Sequence, residues 1–355
     1  MWGMRRSGGA RVLFEVANRL VAKGHDVTFT SLGSNQAHLW FPLRTKVKYI
    51  EKTAPIVHQT YPHLLDSAFR RSTRWRVDRI RNLSLAIPDC DVNVATYCLT
   101  AFAVNRSGKG KQFYYVQHYE PFFFDDPYTR QMVEETYSLP MQLVTVSSWL
   151  RKTMREKYSK DAQVILNGVD RRIFFPRDIR NKGKTKRIMC IGRSIEWKGM
   201  NDMIQAMNIV HKGHPSTELV IVTQDRARRL GMADTGFPYR IVRAPNDEDL
   251  AREYSASDVF VSPSWYEGFS LTVLEAMSCG ARVVTTSPGT EDYAINERNS
   301  LVVNPRRPDE IAKAITRILT DETLSSTLRA EGIRTAEKLT WEKTATSFED
   351  AVTRT

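Results

Sequence analysis

The sequence predicts an α/β protein built on two doubly wound parallel sheets, and three observations carry that reading. Short apolar runs of β character alternate with amphipathic helical stretches twice over, the pattern that builds parallel sheets covered by helices. A charged, non-periodic run over 177–186, just after Phe175-Pro176, separates the two series. At 355 residues and 41% hydrophobic content, the chain can bury two cores. The expected organisation is a first domain over 1–176, a linker over 177–186, a second domain over 187–340 and a terminal helical segment over 341–355.

The first series opens at Ser7-Gly8-Gly9-Ala10, which leads into an amphipathic helix over 11–23. Its Val12, Leu13, Val16 and Leu20 share one face, and it stops at Gly24. A Gly-Gly turn at the head of such a helix normally follows a strand. Only Met1 to Arg6 precede it here, so the first strand of the N-terminal sheet is expected to be missing. Strands are expected at 26–30, 47–50, 91–96, 112–117, 143–147 and 163–166, with a helix over 148–158. A basic helical stretch over 63–86 carries Phe69, Trp75 and Ile80 at near-helical spacing, which suits a domain core, a partner or a membrane surface. Asp89-Cys90-Asp91 has the form of an acidic metal pair, but it starts a strand behind Pro88 and is read as a chance match. The strand at 112–117 runs into an aromatic loop, His118-Tyr-Glu-Pro-Phe-Phe-Phe-Asp-Asp-Pro127. A histidine at the carboxyl end of a strand stands where α/β folds bind ligands; a structural histidine is the other reading.

The second series predicts strands at 187–192, 219–222, 239–242, 258–262, 282–285 and 300–303, and helices at 201–211, 247–255, 308–319 and 324–339. Its centre is Ser262-Pro-Ser-Trp-Tyr-Glu-Gly-Phe-Ser-Leu-Thr-Val-Leu-Glu-Ala-Met-Ser-Cys-Gly280. Here a strand ends, Gly268 permits a tight turn, Ser270 is expected to cap, and residues 271–279 are helical up to Gly280. Glu267 falls on the turn and Glu275 lies more than a helical turn beyond it, so the two are placed to hold two ends of one ligand. Between them, the free N–H groups of Phe269, Ser270 and Leu271 at a helix N-terminus suit a phosphate flanked by hydroxyl-bearing groups. An ordinary strand-to-helix crossover with solvated acids is the alternative.

Charge is uneven. The net charge is +12, and residues 1–180 carry all of it, with 28 Lys and Arg against 16 Asp and Glu. A basic half-molecule fits an anionic membrane surface, an anionic acceptor or nucleic acid, or simply a soluble basic surface. No RNA-binding signature stands in the chain, so nucleic acid is not expected as a partner. Cys90, Cys98, Cys190 and Cys279 lie in or beside apolar elements without ligand spacing, which points to buried thiols in a reducing, cytoplasmic setting. No run of 18 apolar residues and no signal-peptide pattern is expected to place any segment across a membrane.

Taken in order, Gly8-Gly9, Asn167-Gly-Val-Asp170, Gly192-Arg193 with Lys198-Gly199, Glu267-Gly-Phe-Ser-Leu-Thr-Val-Leu-Glu275 and Pro288-Gly-Thr-Glu291 resemble the retaining nucleotide-sugar glycosyltransferases of the GT-B fold, family four (glycosyl transferases group 1). The resemblance covers almost the whole length. It implies two Rossmann-like domains facing across a cleft, with the terminal helix over 341–355 packing back on the first domain. It implies that Glu275 binds the donor ribose and Glu267 the transferred sugar, that Arg193 and Lys198 neutralise the diphosphate, and that N–H groups at Gly268, Phe269, Ser270 and Leu271 and at Gly8-Gly9 close on the phosphates. His118 matches the family's active-site histidine; many relatives follow it with Asp, where this chain has Tyr119 and Glu120. The implied chemistry is transfer of a hexose from a nucleotide diphosphate sugar, with retention, to a carbohydrate or lipid-linked hydroxyl acceptor. It fits cell-surface polysaccharide or glycolipid synthesis in the cytoplasm or peripherally at the inner membrane face. No metal or other cofactor is expected, since cations and helix dipoles carry the charge. A nucleotide-sugar epimerase or phosphorylase on the same plan and a non-catalytic sugar-nucleotide binding protein are the alternatives.

Overall fold

A computed structural model describes residues 1, 3–33, 40–50, 78–179, 185–232, 235–244 and 246–354. Most of the basic stretch over 63–86, with Phe69 and Trp75, lies outside these residues, as does part of the 177–186 run; residues 78–86 are helical. The chain divides into two units, Met1–Ile165 with Thr344–Thr355, and Leu166–Lys343.

Unit 1 begins with α1 (Gly8–Ala22), which starts three residues earlier than its apolar face suggests. Ser7 is the N-cap, its hydroxyl accepting the Ala10 N–H at 3.2 Å, so Gly8 and Gly9 are the first helical residues rather than a turn ahead of the helix. Strands β1 (Thr28–Leu32) and β2 (Lys46–Ile50) pair in parallel as a separate two-stranded sheet. Among the described residues no strand precedes α1. Met1 runs beside β1, its amine donating to the Thr30 carbonyl and its own carbonyl accepting the Leu32 N–H at 3.3 Å.

A second, four-stranded parallel sheet takes the order β3-β4-β5-β6, from β3 (Val92–Ala95), β4 (Lys111–Val116), β5 (Gln142–Thr145) and β6 (Ala162–Val164). Helices α2 (Cys98–Ser107), α3 (Pro127–Glu135) and α4 (Ser148–Tyr158) connect these strands. Phe113, Tyr114, Tyr115 and Val116 of β4 are buried together, which makes it a central strand.

In unit 2 all six strands are parallel: β7 (Lys186–Ile191), β8 (Thr217–Val222), β9 (Tyr239–Val242), β10 (Val259–Ser262), β11 (Arg282–Thr286) and β12 (Leu301–Val303). Their order is β12-β11-β10-β7-β8-β9. The helices are α5 (Met200–Gly213), α6 (Asp247–Ala256), α7 (Leu271–Ser278), α8 (Pro308–Thr320), α9 (Glu322–Lys338) and α10 (Trp341–Thr353). Ile188, Cys190, Leu219, Ile221, Val259 and Val261 from the strands meet Met203 and Met207 of α5 in one core. From Thr344 onward α10 belongs to unit 1, where Phe348 packs on Tyr115 at 5.3 Å and Glu349 pairs with Lys23 and, at 2.7 Å, with His25.

This strand order reverses direction between β7 and β10. The carboxyl ends of those two neighbours mark the switch point of the sheet, the place where open α/β sheets bind ligands. No helix of the described residues is long and apolar enough to cross a membrane.

Candidate functional site

Of the residues singled out in the second series, Arg193 and Lys198 sit on the loop after β7 and Glu267 on the loop after β10. After β7, Gly192 is needed because a Cβ there would come within 2.5 Å of Ile221 Cγ2. Arg193 follows, exposed, beside Asp225; the Asp225 carboxylate accepts the Ser194 N–H at 2.8 Å. That hydrogen bond, with Arg193 adding to it, holds the Asp225 carboxyl below the usual carboxylate range. A short 3-10 turn, Glu196–Lys198, then ends at Gly199 with φ of 67°. A Cβ on Gly199 would lie 2.0 Å from the Pro263 carbonyl oxygen, so glycine lets the β7 loop lie directly on the β10 loop. The Trp265 N–H donates to the Trp197 carbonyl at 2.8 Å, and Trp197 stacks on Tyr266 at 5.8 Å.

That contact brings Lys198 to Glu267. Lys198 Nζ is 2.7 Å from Glu267 Oε1, with the side chains 26% and 14% exposed. Pro288-Gly289 fixes Glu267 from the other side. The Glu267 N–H donates to the Pro288 carbonyl at 3.0 Å, and a Cβ on Gly289, at φ 88°, would stand 2.1 Å from the Glu267 carbonyl oxygen. The Gly289 N–H in turn donates to Glu291 at 2.7 Å. Three segments distant in sequence therefore converge on one carboxylate and one ammonium.

Helix α7 begins where expected, with Ser270 at the N-cap position, but the Ser270 side chain does not cap it. Its hydroxyl lies 3.2 Å from Thr272 Oγ1, while its carbonyl accepts the Tyr293 hydroxyl at 2.7 Å. Gly268 and Phe269 are buried at this turn, with Phe269 against Tyr293 at 4.8 Å, and Leu271 opens the helix. Glu275 lies inside α7, 7% exposed, and accepts the Tyr254 hydroxyl at 3.3 Å. Burial, with Glu275 beside it, pushes the Tyr254 phenol well above its ordinary pKa.

Trp265 and Arg306 escaped the sequence reading. Arg306 holds a left-handed backbone, φ 61°, and its guanidinium lies 3.8 Å over the Trp265 ring, while the Trp265 indole donates to Asp202 at 2.7 Å. Neither periodicity nor spacing signals such a stack.

In unit 1, His118 is half-buried just beyond β4. Its Nδ1 is 3.3 Å from the Tyr119 carbonyl, and its ring meets Phe123 at 4.7 Å. A Cβ on Gly9 would lie 3.4 Å from Gln117 Oε1, so the first turn of α1 abuts the residue next to His118. Gly8, Gly9 and His118 thus gather in one unit, and Arg193, Lys198, Glu267, Gly268, Phe269, Ser270, Leu271 and Glu275 in the other. Asp89 pairs with Lys109 at 3.0 Å. The loop after His118 contains a 3-10 helix, Glu120–Phe123, and a buried acid, Glu120, that the sequence reading gave no role.

Two family models divide the chain between them. Glycosyltransferase Family 4 matches residues 6–172, and Glycosyl transferases group 1 matches residues 185–321. An uncharacterized glycosyltransferase of Methanocaldococcus jannaschii is 30% identical over 203 residues, covering 51% of this chain and 51% of its own length. The O-antigen chain mannosyltransferase B of Escherichia coli is 38% identical over 100 residues, 28% of this chain and 26% of its own. The chain thus spans about half of the first of these curated relatives and about a quarter of the second. Among solved structures, Anabaena HepE in complex with UDP-glucose superposes with a TM-score of 0.76 at 14% identity, covering 100% of this chain and 98% of that one. At such identity the likeness establishes the fold, which is GT-B.

Proposed function

From a chain that belongs to the family 4, group 1 glycosyltransferases, we propose a retaining transferase that moves a hexose from a nucleotide diphosphate sugar to a hydroxyl acceptor. The observation that carries this reading is the convergence of Lys198 and Glu267 at the switch point of the unit 2 sheet, at 2.7 Å, with Arg193 on the same loop and Glu275 one helix beyond. An ammonium, a guanidinium and the free N–H groups of α7 suit a diphosphate that gains charge as the glycosidic bond breaks. Glu267 is assigned to the sugar, Glu275 to the ribose hydroxyls, and His118 to the transfer step. The HepE complex with UDP-glucose and the E. coli O-antigen mannosyltransferase support a sugar nucleotide as donor and a surface polysaccharide or glycolipid as product. The charge on the leaving diphosphate is met by side chains and helix dipoles, so no metal is required.

Steady-state kinetics with a panel of UDP-, GDP- and dTDP-sugars test this. Glu275→Ala is expected to raise donor KM by about tenfold or more, because it loses charge-assisted hydrogen bonds to the ribose. Glu267→Ala is expected to lower kcat by about a hundredfold with a smaller change in nucleotide binding. Wild-type turnover should survive EDTA. Unchanged kinetics in both variants sink the assignment, and activity lost to EDTA and restored only by a divalent cation sinks the metal-free mechanism.

The basic charge of residues 1–180, most of which belong to unit 1, supports contact of that unit with an anionic membrane, where a lipid-linked acceptor is presented. Co-sedimentation with vesicles is expected to rise with anionic lipid and to fall as salt is raised from about 0.05 to 0.5 M, as screening shortens the Debye length. Binding indifferent to both removes this role.

A further inference from the structure

The loop that carries His118 is tied down at the two residues that follow it. The Tyr119 hydroxyl meets Glu134 of α3 at 3.0 Å and Tyr158 of α4 at 2.8 Å, and Lys157 donates to it at 3.2 Å. Glu120 is tied twice. Its N–H donates to the Tyr137 hydroxyl at 3.0 Å, and its carboxylate accepts the Cys98 N–H, the first of α2, at 2.5 Å. Four elements converge on this short stretch, and Glu120 is 2% exposed among them.

A buried acid at a helix N-terminus is pulled two ways. The N–H of Cys98 favours the carboxylate, while removal from water favours the neutral acid. The groups facing Glu120 are the Cys98 thiol of α2, Tyr114 of β4 and Tyr137 of the turn after α3; none of them is a cation. Burial dominates and pushes the Glu120 carboxyl up to about 7, while the Cys98 N–H only moderates it. The acid therefore changes charge near neutral pH. Because its folded-state pKa lies above the ordinary glutamate value, the stability it contributes is complete in acid and is lost as pH rises through about 7.

We propose that Glu120 is a positioning residue for glycosyl transfer: its buried carboxyl seats the His118 loop against the N-terminus of α2 while neutral, and on ionisation the cost of holding a charge at a 2% exposed position outweighs the stronger bond to the Cys98 N–H and loosens the loop; this rests on the transfer reading given above. Glu120 does not touch the reacting atoms. It acts through His118, two residues before it, whose ring is set by the Tyr119 carbonyl and Phe123.

The test pairs a spectroscopic and a kinetic reading on the full chain. Labelling with [15N]cysteine gives amide resonances from four cysteines, of which only the Cys98 N–H contacts Glu120. In the wild type the Cys98 amide is expected to titrate with a midpoint near 7. Over the same range, kcat should fall by roughly threefold between about pH 6 and 8 at constant donor KM. Glu120→Gln keeps an acceptor for Cys98 without a titrating proton. Its Cys98 amide is expected to stay flat, and the threefold fall in kcat to disappear. Tyr137→Phe removes the other tether and is expected to lower kcat at every pH while keeping the wild-type shape. A Cys98 amide without an inflection in the wild type, or a wild-type kcat profile in Glu120→Gln, overturns the proposal. Absence of transfer by the wild type, with a Cys98 titration that Glu120→Gln abolishes, overturns the transfer reading instead and leaves Glu120 as the loop's anchor.

Discussion

Gly289→Ala is expected to reduce transfer by two orders of magnitude or more while leaving nucleotide binding through Glu275 largely intact. The residue sits at φ 88°, where an L side chain is strained, and its Cβ would stand 2.1 Å from the carbonyl oxygen of Glu267. The strain alone costs about 1–2 kcal/mol. The contact is with backbone rather than with the end of a flexible side chain, so relief requires the Glu267 turn or the Pro288 turn to move. A shift of about 1 Å in a catalytic group costs roughly a hundredfold in rate, and Glu267, assigned to the sugar under the proposed function, is the group displaced. Thermal unfolding and kinetics measured together decide it. The strain alone should lower Tm by about 2–8 °C, since each kcal/mol is worth about 2–4 °C in a unit of this size. kcat should fall far more than the affinity for a nucleoside diphosphate, read by calorimetry. A variant with wild-type kcat shows that the Pro288 turn does not set the position of Glu267.

The close approach of Gly289 to Glu267 joins segments more than 20 residues apart, and contacts of that kind are not legible in a sequence. The strands at 239–242 and 300–303 and the helix at 148–158 were legible within a residue, because apolar runs and amphipathic periods are local. The strand order was not, and it is the order that puts β7 beside β10 and so Lys198 beside Glu267. Helix α3 carried a readable start, Asp126 as N-cap before Pro127, yet the dense aromatics ahead of it pass for one long loop. Ser270 shows the opposite case. Its residue type fits a cap, but Tyr293 holds its carbonyl and Thr272 lies beside its hydroxyl, so the side chain does not serve α7. Glu120 had no local signal at all. Its meaning comes from Cys98, 22 positions upstream, and Tyr137, 17 positions downstream, which only the folded sheet brings to it.

Breaking the Lys198–Glu267 pair from its two ends is expected to give opposite effects on nucleotide affinity. At 2.7 Å and mostly shielded from water, the two charges neutralise each other before any donor arrives. On the proposed donor reading, a diphosphate then shares the ammonium with a carboxylate that repels it. Glu267→Gln removes the repulsion and leaves the ammonium, so UDP or GDP should bind about three- to tenfold more tightly even as kcat falls. Lys198→Ala leaves Glu267 facing the phosphates alone, and affinity should weaken by about ten- to thirtyfold with a loss of about 10² or more in kcat. The double variant should bind more tightly than the sum of the single changes implies, with a coupling of about 1 kcal/mol between the sites. Raising the salt concentration should weaken binding most in Glu267→Gln, where the cation is no longer compensated. If Glu267→Gln instead weakens nucleotide binding as much as Lys198→Ala does, the carboxylate orients the lysine toward the phosphate rather than competing for it, and the pair is a single structural unit.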